Sequence, residues 1–526
     1  MRTFRPTTLA THGMVATPHY LASSAGLHVL EEGGSAMDAV ICANAMLTVL
    51  YPDQTAIGGD CFFINFDAAT GLTQGFNGSG PAPAAADAEA LLAQGWTAMP
   101  GKGPFAVTVP GTIDAWFAGH SRFGRLEMSR LFQPAITLAR DGFPVSPRLA
   151  TVLVNQKALI SSWPGLQSLV HPGGFVPTSG TVLRMPTLAR SLESIASGGR
   201  DVFYEGAIAE SIASTIAELG GWLTLDDLNS HAGEWVEPIA ATYRGVSVQT
   251  MPPNSQGMTA LAGLRMLGHV DPGSTWGAAS HLHPTIEAST RAYRVRDANI
   301  TDPAFADIDV DRLLGDGVIG DLWSDYHPDQ ATLAQSASPG DTVYLCAIDR
   351  DGNSVSMIQS LFGAFGSCVV AENTGILLQN RGASFSLNPE RVNVLEPGKR
   401  TMHTLMPSML FDGESLRGPF GTQGGDAQAQ IQMQLVSNLV DYGMEPQAAI
   451  EAPRFISGSG PDNALLLEGD FPEGTVQQLA AKGHKITLID PWNSGAGHAQ
   501  MILIDRGSGV LMGAADPRAD GSAAGY

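Results

Sequence analysis

The chain has 526 residues, 44% of them hydrophobic and 15% charged, and 29 basic against 51 acidic side chains give a net charge of -22. Its length exceeds what a single hydrophobic core usually organises, so one large unit or two fused units are expected. The acidic balance argues against electrostatic binding to nucleic acid or to anionic membranes. No run of signal-peptide length follows the N-terminal arginines, and the most apolar run, "AVICANAMLTVLY", is too short to span a bilayer. These features predict a cytoplasmic protein.

The first half of the chain alternates between helical and strand patterns. "TPHYLASSAGLHVLEEGGSAMDAVICANAMLTVLYP" predicts two helices broken at Gly33-Gly34, with Asp38 near the start of the second. "QTAIGGDCFFINFDAATG" predicts a strand pair, and residues 127–240 are mostly helical in pattern. "YRGVSVQTMPPNSQG" returns to strand and loop, and "HLHPTIEASTRAYRVRDANI" predicts a helix.

The second half begins after a loose segment. Residues 325–341 are polar, small and proline-containing, which predicts an exposed connector. "GDTVYLCAIDRDGNSVSMIQS" then alternates on both sides of Asp351-Gly352-Asn353, as a β-hairpin does. A glycine-rich turn at 421–425 precedes the predicted helix "DAQAQIQMQLVSNLVDYG". Strand-rich ends around a helical middle indicate stacked α and β layers.

Thr342 opens the first strand of that hairpin. A threonine hydroxyl becomes a useful nucleophile when a base lies beside it, and its own α-amine could serve if the chain were cut between Asp341 and Thr342. Such an amine has an ordinary pKa of roughly 7.7–8.0, so part of it is neutral at pH 7. A β-branched residue is equally at home in an ordinary strand, so the local pattern leaves both interpretations open.

Gly424 and Gly425 lie at the junction between loop and helix. Two adjacent glycines there can present backbone N–H groups to one oxygen, as an oxyanion hole does, although a flexible turn would have the same sequence. The histidines of "HLH" at 281–283 have no third metal ligand at a recognisable spacing, and no P-loop, G-x-S-x-G or H-E-x-x-H motif is present. We therefore expect neither a metal nor a cofactor, and Thr342 is the best candidate nucleophile.

Blocks along nearly the whole chain resemble the γ-glutamyltransferase family of N-terminal nucleophile hydrolases. These blocks are "GGSAMDAVICANAMLTVLYP", "GGDCFF", "VPGTIDAW", "LFQPAITLARDGF", "DVFYEGAIAESIA", "YRGVSVQTMPPNSQG", "DTVYLCAIDRDGNSVSMIQSLFGAFGS", "APRF" and "GAADPRADGSAAGY". The resemblance implies an α/β fold of four αββα layers, made as one precursor that cuts itself between Asp341 and Thr342. It also implies a large chain 1–341 and a small chain 342–526, which together form one αββα unit.

The resemblance also assigns roles in the catalytic site. Thr342 is then the nucleophile, Ser360 the second hydroxyl that supports it, and Gly424 and Gly425 the oxyanion hole. The implied partners are a small-molecule amide substrate and either water or an amine acceptor. A homodimer of the processed heterodimer is also possible.

The implied substrate pocket departs from the family's pattern. Asn77 stands where the family has an arginine that binds the substrate α-carboxylate, a contact that guanidinium makes especially well. Phe362 and Ser384 replace an asparagine and an aspartate that hold the glutamyl group. The aspartate that would receive the substrate ammonium is thus a hydroxyl here.

Three further positions complete this pocket. His403 and Thr404 replace a serine pair that contacts the carboxylate, and Arg381 stands where the family commonly has Glu or Gln. These changes favour an anionic acyl group without an α-ammonium, as in the related oxamate amidohydrolases and dicarboxylyl cephalosporin acylases. Two alternatives remain open: a γ-glutamyl substrate held by other side chains, or a one-residue shift in the matching. A third, of another class, is an unprocessed and inactive binding protein.

Overall fold

The computed structural model describes residues 5–332 and 340–526. Its strands are β1 Thr8–Ala10, β2 Met14–Thr17, β3 Asp60–Asp67, β4 Leu72–Asn77, β5 Phe143–Pro144, β6 Val182–Leu183, β7 Glu234–Val236, β8 Ile239–Tyr243, β9 Val246–Thr250, β10 Asp341–Ile348, β11 Ser354–Phe362, β12 Val370–Ala371, β13 Ile376–Leu377, β14 Ser408–Asp412, β15 Ser415–Thr422, β16 Phe455–Ile456, β17 Leu465–Glu468, β18 Ile486–Ile489, β19 Ala499–Ile504, β20 Leu511–Ala515 and β21 Ser522–Gly525.

The α-helices are α1 Tyr20–Glu31, α2 Ala36–Leu50, α3 Ala88–Ala93, α4 Thr112–Phe123, α5 Met128–Asp141, α6 Pro147–Asn155, α7 Lys157–Ser161, α8 Pro164–Val170, α9 Pro186–Gly198, α10 Asp201–Tyr204, α11 Ala207–Glu218, α12 Leu225–Asn229, α13 Gly257–Leu267, α14 Ala279–Asn299, α15 Val310–Leu314, α16 Asp316–Trp323, α17 Gln428–Val440, α18 Pro446–Glu451 and α19 Thr475–Ala481. Short 3₁₀ helices are Pro104–Ala106, Pro172–Gly174, Arg381–Ser384, Gly425–Ala427, Pro461–Asn463 and Ser494–Ala496. No helix in the described ranges combines the length and the apolar character needed to cross a membrane.

Two seven-stranded sheets organise the described residues. Sheet I has the strand order β1-β20-β19-β15-β14-β9-β8, and sheet II has the order β21-β2-β10-β11-β3-β4-β7. The predicted hairpin is confirmed, since β10 pairs antiparallel with β11 at the centre of sheet II. The predicted break between the first two helices is confirmed as well, and the Ser35–Asp38 capping box fixes where α2 begins.

Alternation along β10 shows how the layers are arranged. Val343, Leu345 and Ala347 belong to the core that sheet II shares with α1, α2, α5 and α9. Tyr344, Cys346 and Ile348 belong instead to the apolar layer between the two sheets. Successive strand residues point to opposite faces, so this sheet is covered on both sides.

The fourth layer lies on the outer face of sheet I. A separate core joins that sheet to α13, α14 and α17. The molecule is therefore built as helices, sheet II, sheet I and helices, which confirms the four-layer αββα fold. Most of residues 127–240 are helical as predicted, but the segment ends in β7 and β8, which join different sheets. Of the predicted connector at 325–341, residues 333–339 lie outside the described residues.

Candidate active site

The Asp341–Thr342 bond lies at an irregularity of the central hairpin. Thr342 pairs with Ser360, but Asp341 pairs with Phe362, so Leu361 is an extra residue in β11. The freed Leu361 N–H donates to the Gln54 backbone carbonyl. A β-bulge bends the strand and re-aims neighbouring groups, and here it lies beside the peptide bond that the sequence marks for cleavage.

A chain of hydrogen bonds joins Thr342 to the carbonyl that precedes it. Thr342 Oγ1 donates to Ser360 Oγ at 3.0 Å, and Ser360 Oγ donates to the Asp341 carbonyl oxygen at 2.7 Å. The Phe362 N–H also donates to Ser360 Oγ, at 2.7 Å, and thereby fixes the position of that hydroxyl. Thr342 and Ser360 are both buried. Ser360 therefore accepts a hydrogen bond from the Thr342 hydroxyl. At the same time it polarises, by donating a hydrogen bond, the carbonyl that this hydroxyl would attack.

Ser360→Ala is expected to slow chain cleavage by about 10- to 100-fold, because losing a buried hydrogen-bond partner costs roughly 1–3 kcal/mol. The measurement is the rate at which two chains appear on a denaturing gel. Ser354→Ala is the matched control, since Ser354 lies on the same strand and its buried hydroxyl has no partner within the described part of the chain. Equal cleavage rates in both variants would contradict a role for Ser360.

The loop predicted to form the oxyanion hole, residues Gln423 to Gly425 and here called the oxyanion loop, follows β15 of sheet I. Gly424 and Gly425 have φ angles of +145° and +55°, which side chains with a Cβ rarely adopt. Across the described ranges, neither of their N–H groups has a hydrogen-bond partner in the protein. The loop leads through a 3₁₀ turn into α17, whose N-terminus contributes positive potential. These are the properties of an anion-binding loop.

The residues before the scissile bond lie directly against this loop. A Cβ added to Gly340 would come 2.8 Å from Gly425 Cα. Gln423 Nε2 donates to the Gly340 carbonyl at 3.1 Å. Gln256 Nε2 donates to the carbonyls of both Thr404 and Gly425, at 3.1 Å each, and so connects the oxyanion loop to the wall of the predicted pocket. Gly340 thus occupies the space beside the oxyanion loop.

Arg381 lies at the centre of the predicted substrate pocket. Its guanidinium lies 4.1 Å over the Phe362 ring, and it donates to Ser384 Oγ at 3.3 Å and to Thr404 Oγ1 at 3.2 Å. Arg381 is 1% exposed, and no carboxylate of the described residues lies within ion-pair distance of it. Burial lowers the pKa of Arg381 to about 10, although the more distant Asp60 partly offsets this effect. A buried guanidinium bonded only to hydroxyls is a strong candidate for binding an anion.

His403 makes a different set of contacts. Its Nδ1 accepts from the Leu405 N–H at 3.2 Å, so its Nε2–H donates to Asp60 Oδ2 at 3.0 Å. Burial, with Arg381 nearby, lowers the pKa of His403 well below its usual value, and burial raises the pKa of Asp60 to about 7. The imidazole is therefore neutral, and both its nitrogens have partners within the protein. Its predicted contact with substrate stays a prediction.

Asn77 also lies within a network of protein hydrogen bonds. Its Nδ2 donates to Asn254 Oδ1 at 2.8 Å, and its Oδ1 accepts from both the N–H and the hydroxyl of Ser79. Asn254 in turn accepts from the His403 N–H through its backbone carbonyl. Asn77 therefore supports the wall of the pocket through Asn254, and its predicted substrate contact is untested.

The Asp341 carboxyl lies directly beside the predicted cleavage point. Burial, together with neighbouring Asp53, raises the pKa of Asp341 to about 6. Asp53 itself pairs with Arg148 at 2.6 Å. The Gln54 side-chain amide, oriented so that both its ends have partners, donates to the Thr342 carbonyl at 3.1 Å and accepts from Arg148 at 2.7 Å. The backbone on both sides of the cleavage point is thus tied to one buried, charged cluster.

Asp341 gives a testable pH dependence in the uncut Thr342→Ala protein. The folded protein keeps a proton up to about pH 6 that the unfolded chain loses near pH ~4, so stability falls as the pH rises between these values. Adding Asp341→Asn should remove this fall and raise the free energy of unfolding at pH 8 by about 2–3 kcal/mol. Urea unfolding at pH 4 to 8 measures this, with exposed Asp307→Asn as control. An unchanged pH slope would contradict the assignment.

Several residues of this site were not singled out from the sequence pattern. Asp60, Gln256 and Gln423 touch the predicted site residues directly, and Gln54 and Arg148 hold the cleavage point. Asp60 lies in "GGDCFF" and Gln256 in "PPNSQG", so both fall within the family-like blocks. Their individual roles depend on contacts between segments far apart in the chain, which periodicity does not reveal.

The fold and the arrangement of this site define an enzyme of the N-terminal nucleophile hydrolase class. The family model described as gamma-glutamyltranspeptidase matches residues 22–526, so the chain belongs to the γ-glutamyltranspeptidase family. It is 41% identical to the glutathione hydrolase-like YwrD proenzyme of Bacillus subtilis over 98% of this chain and 99% of that protein. It is 36% identical to the oxamate amidohydrolase proenzyme of Klebsiella pneumoniae, with the same coverage of 98% and 99%.

Solved structures agree with this assignment. Cephalosporin acylase from Bacillus halodurans superimposes with a TM-score of 0.95 and 37% identity, covering 100% of this chain and 98% of that one. A γ-glutamyltranspeptidase from Helicobacter pylori, at 30% identity, covers 60% of this chain with a TM-score of 0.57. The protein is therefore an enzyme of the amidohydrolase and acyltransferase type.

Proposed function

We propose that the chain cuts itself between Asp341 and Thr342 and then hydrolyses amides whose acyl group ends in a carboxylate. The observation that carries the proposal is the hydrogen-bond chain from Thr342 Oγ1 through Ser360 to the Asp341 carbonyl. Thr342 Oγ1 attacks that carbonyl carbon, the C–N bond breaks, and the hydroxyl proton ends on the departing Thr342 amine. Water then hydrolyses the resulting ester and leaves a free Thr342 amine, a large chain 1–341 and a small chain 342–526.

The same groups perform the second reaction in the processed enzyme. The Thr342 α-amine takes the hydroxyl proton while Oγ1 attacks the substrate amide, and the Gly424 and Gly425 N–H groups stabilise the oxyanion. The amine of the substrate leaves with that proton, and water resolves the acyl-enzyme. An amine acceptor in place of water would give acyl transfer.

Before substrate can bind, the last residues of the large chain must leave the space beside the oxyanion loop. Cleavage creates a new α-carboxylate on Asp341, beside that residue's own carboxyl and beside Asp53 in a buried setting. Like charges that are poorly solvated repel each other, and this repulsion favours departure of Gly340 and Asp341 from the oxyanion loop. Substrate would then occupy the vacated space.

Arg381 supports an acyl group that carries a carboxylate. It is buried and bonded only to hydroxyls, and one of these belongs to Ser384, which lines a cavity of about 380 Å³. Arg296, Asp297 and Arg391 also line this cavity, and the Asp297 carboxylate is paired with Arg296 at 2.7 Å. The site residues Ser384 and Thr404 supply no carboxylate for a substrate ammonium, and the nearby Asp60 is bonded to His403. A dicarboxylic monoamide or oxamate-like compound therefore suits the pocket better than a γ-glutamyl compound.

Two anilides that differ only in the α-ammonium test this substrate class. The processed enzyme should cleave glutaryl-p-nitroanilide with a kcat/KM about 10- to 100-fold above that for γ-glutamyl-p-nitroanilide, because an unpaired ammonium would lose a charged hydrogen bond of roughly 1.5–3 kcal/mol. Ammonia release from oxamate and from glutamine provides a second comparison. Preference for the γ-glutamyl compounds would mean that other groups bind the ammonium. An intact chain without activity would indicate a binding protein instead.

A further inference from the structure

We infer that His283, Glu287 and His484 form a binding site for a divalent transition-metal ion of the zinc type, away from Thr342. One ligand atom from each residue lies within 4.8 Å of those of the other two. His283 and Glu287 are four residues apart on α14, so they share one face of the helix. His484 follows α19, 201 positions further along the chain. Two imidazoles and one carboxylate make a common zinc-ligand set.

The proton positions suit coordination by His283. Its Nε2 contacts the His327 carbonyl oxygen at 2.9 Å, and because a carbonyl only accepts, Nε2 must carry the proton. Nδ1 therefore holds the lone pair, and it faces His484 Nε2 at 2.8 Å. A metal-binding histidine usually donates its other N–H to a backbone carbonyl in this way, which fixes its tautomer.

Glu287 is held in a similarly defined orientation. Its carboxylate accepts from the Thr332 N–H at 2.9 Å, from the Thr332 hydroxyl at 2.6 Å and from Arg291 at 2.6 Å. Arg291 forms ion pairs with both Glu287 and Asp325. These three bonds fix the orientation of the carboxylate.

Binding requires only a small rearrangement. Two nitrogens bound tetrahedrally to zinc at about 2.0–2.1 Å lie roughly 3.3 Å apart, so the His283 and His484 rings must separate by about 0.5 Å. His484 must also move its proton from Nε2 to Nδ1. His484 and Thr332 also line a cavity of about 150 Å³.

The position of the site suggests a structural role. His283 and Glu287 belong to residues 1–341, and His484 belongs to residues 342–526, so the ion would join the two chains of the processed enzyme. This consequence depends on the proposed cleavage, whereas the metal site itself does not. Glu287 is also bonded to Thr332, close to the end of the large chain.

The test is metal titration of the purified full-length protein after dialysis against chelator. In calorimetry, one Zn²⁺ ion should bind per 526-residue protein, and its binding should raise the unfolding temperature. Co²⁺ should give the visible absorption typical of a low-coordinate site with nitrogen ligands. His484→Gln and Glu287→Gln should each weaken binding at least about 10-fold. His281→Gln is the matched control, since His281 is buried on the same helix and bonds Ser437 instead.

The outcomes separate clearly. Stoichiometric Zn²⁺ binding that is lost in His484→Gln and kept in His281→Gln supports the site. Absence of stoichiometric binding to the unmodified protein, or equal binding by His484→Gln, would overturn it and leave the cluster as a hydrogen-bond network. The Co²⁺ spectrum is measured on the unmodified protein, so the result does not depend on whether a variant folds.

Discussion

Thr342→Ala is expected to leave a single chain of about 55 kDa that never separates into two and has no measurable amidase activity. Without the hydroxyl, neither the Asp341 carbonyl nor a substrate amide can be attacked, and removal of a catalytic nucleophile commonly costs about 10⁶-fold in rate. Mass spectrometry after long incubation measures cleavage, and the anilide assay measures activity. This is the largest effect that the proposed mechanism predicts.

Thr342→Ser distinguishes a chemical from a structural role. Serine keeps the hydroxyl and its hydrogen bond to Ser360 but loses the methyl group, so cleavage should continue at a reduced rate. Thr342→Val keeps the branched shape that suits a strand and should be as inactive as alanine. Cleavage at the same bond in Thr342→Val would show that another group is the nucleophile.

Arg381→Met is expected to reduce kcat/KM for glutaryl-p-nitroanilide by about 30-fold or more, because the carboxylate loses its buried charged partner, a loss of roughly 2–5 kcal/mol. Cleavage of valeryl-p-nitroanilide, in which a methyl group replaces the carboxylate, should change little. The free energy of unfolding should stay equal or increase, because burial already opposes the charge of Arg381 and lowers its pKa to about 10. Activity should therefore fall without a loss of stability.

Two controls make this result specific. Arg381→Lys keeps the charge but loses the planar fork of donors, so its activity should lie between those of the unmodified enzyme and Arg381→Met. Arg190→Met removes an exposed arginine and should leave both substrates unaffected. An equal loss on the glutaryl and valeryl substrates would mean that Arg381 shapes the pocket without binding the carboxylate.

The sequence was most informative where local pattern and chemistry coincide. Alternation on both sides of Asp351-Gly352-Asn353 predicts the hairpin of β10 and β11, because strand periodicity and turn residues act over short distances. The same pattern predicts that Thr342 lies at the start of the first strand of the hairpin. The αββα fold was implied by resemblance to the family, and the alternating cores on the two faces of β10 confirm it.

Contacts between segments far apart in the chain could not be predicted from the sequence pattern. The family resemblance assigns Arg381 and His403 to one substrate pocket. The structure pairs His403 with Asp60, over three hundred residues away, and leaves Arg381 bonded to hydroxyls. Sequence spacing likewise offers the histidines at 281–283 no third ligand, whereas folding brings His484 to His283. Burial and partner choice set the charge of each group, and both depend on the packing of whole layers.

The hairpin, the candidate nucleophile and the two glycines of the oxyanion loop can be predicted from short stretches of sequence, since each is encoded in a few adjacent residues. Their meeting depends on how the two sheets pack. Thr342 and Ser360 lie on sheet II, with Leu361 bulged between Ser360 and Phe362, and the oxyanion loop arrives from sheet I. The candidate site lies between two sheets and exists only once both are packed face to face, because neither sheet carries a complete set of its groups.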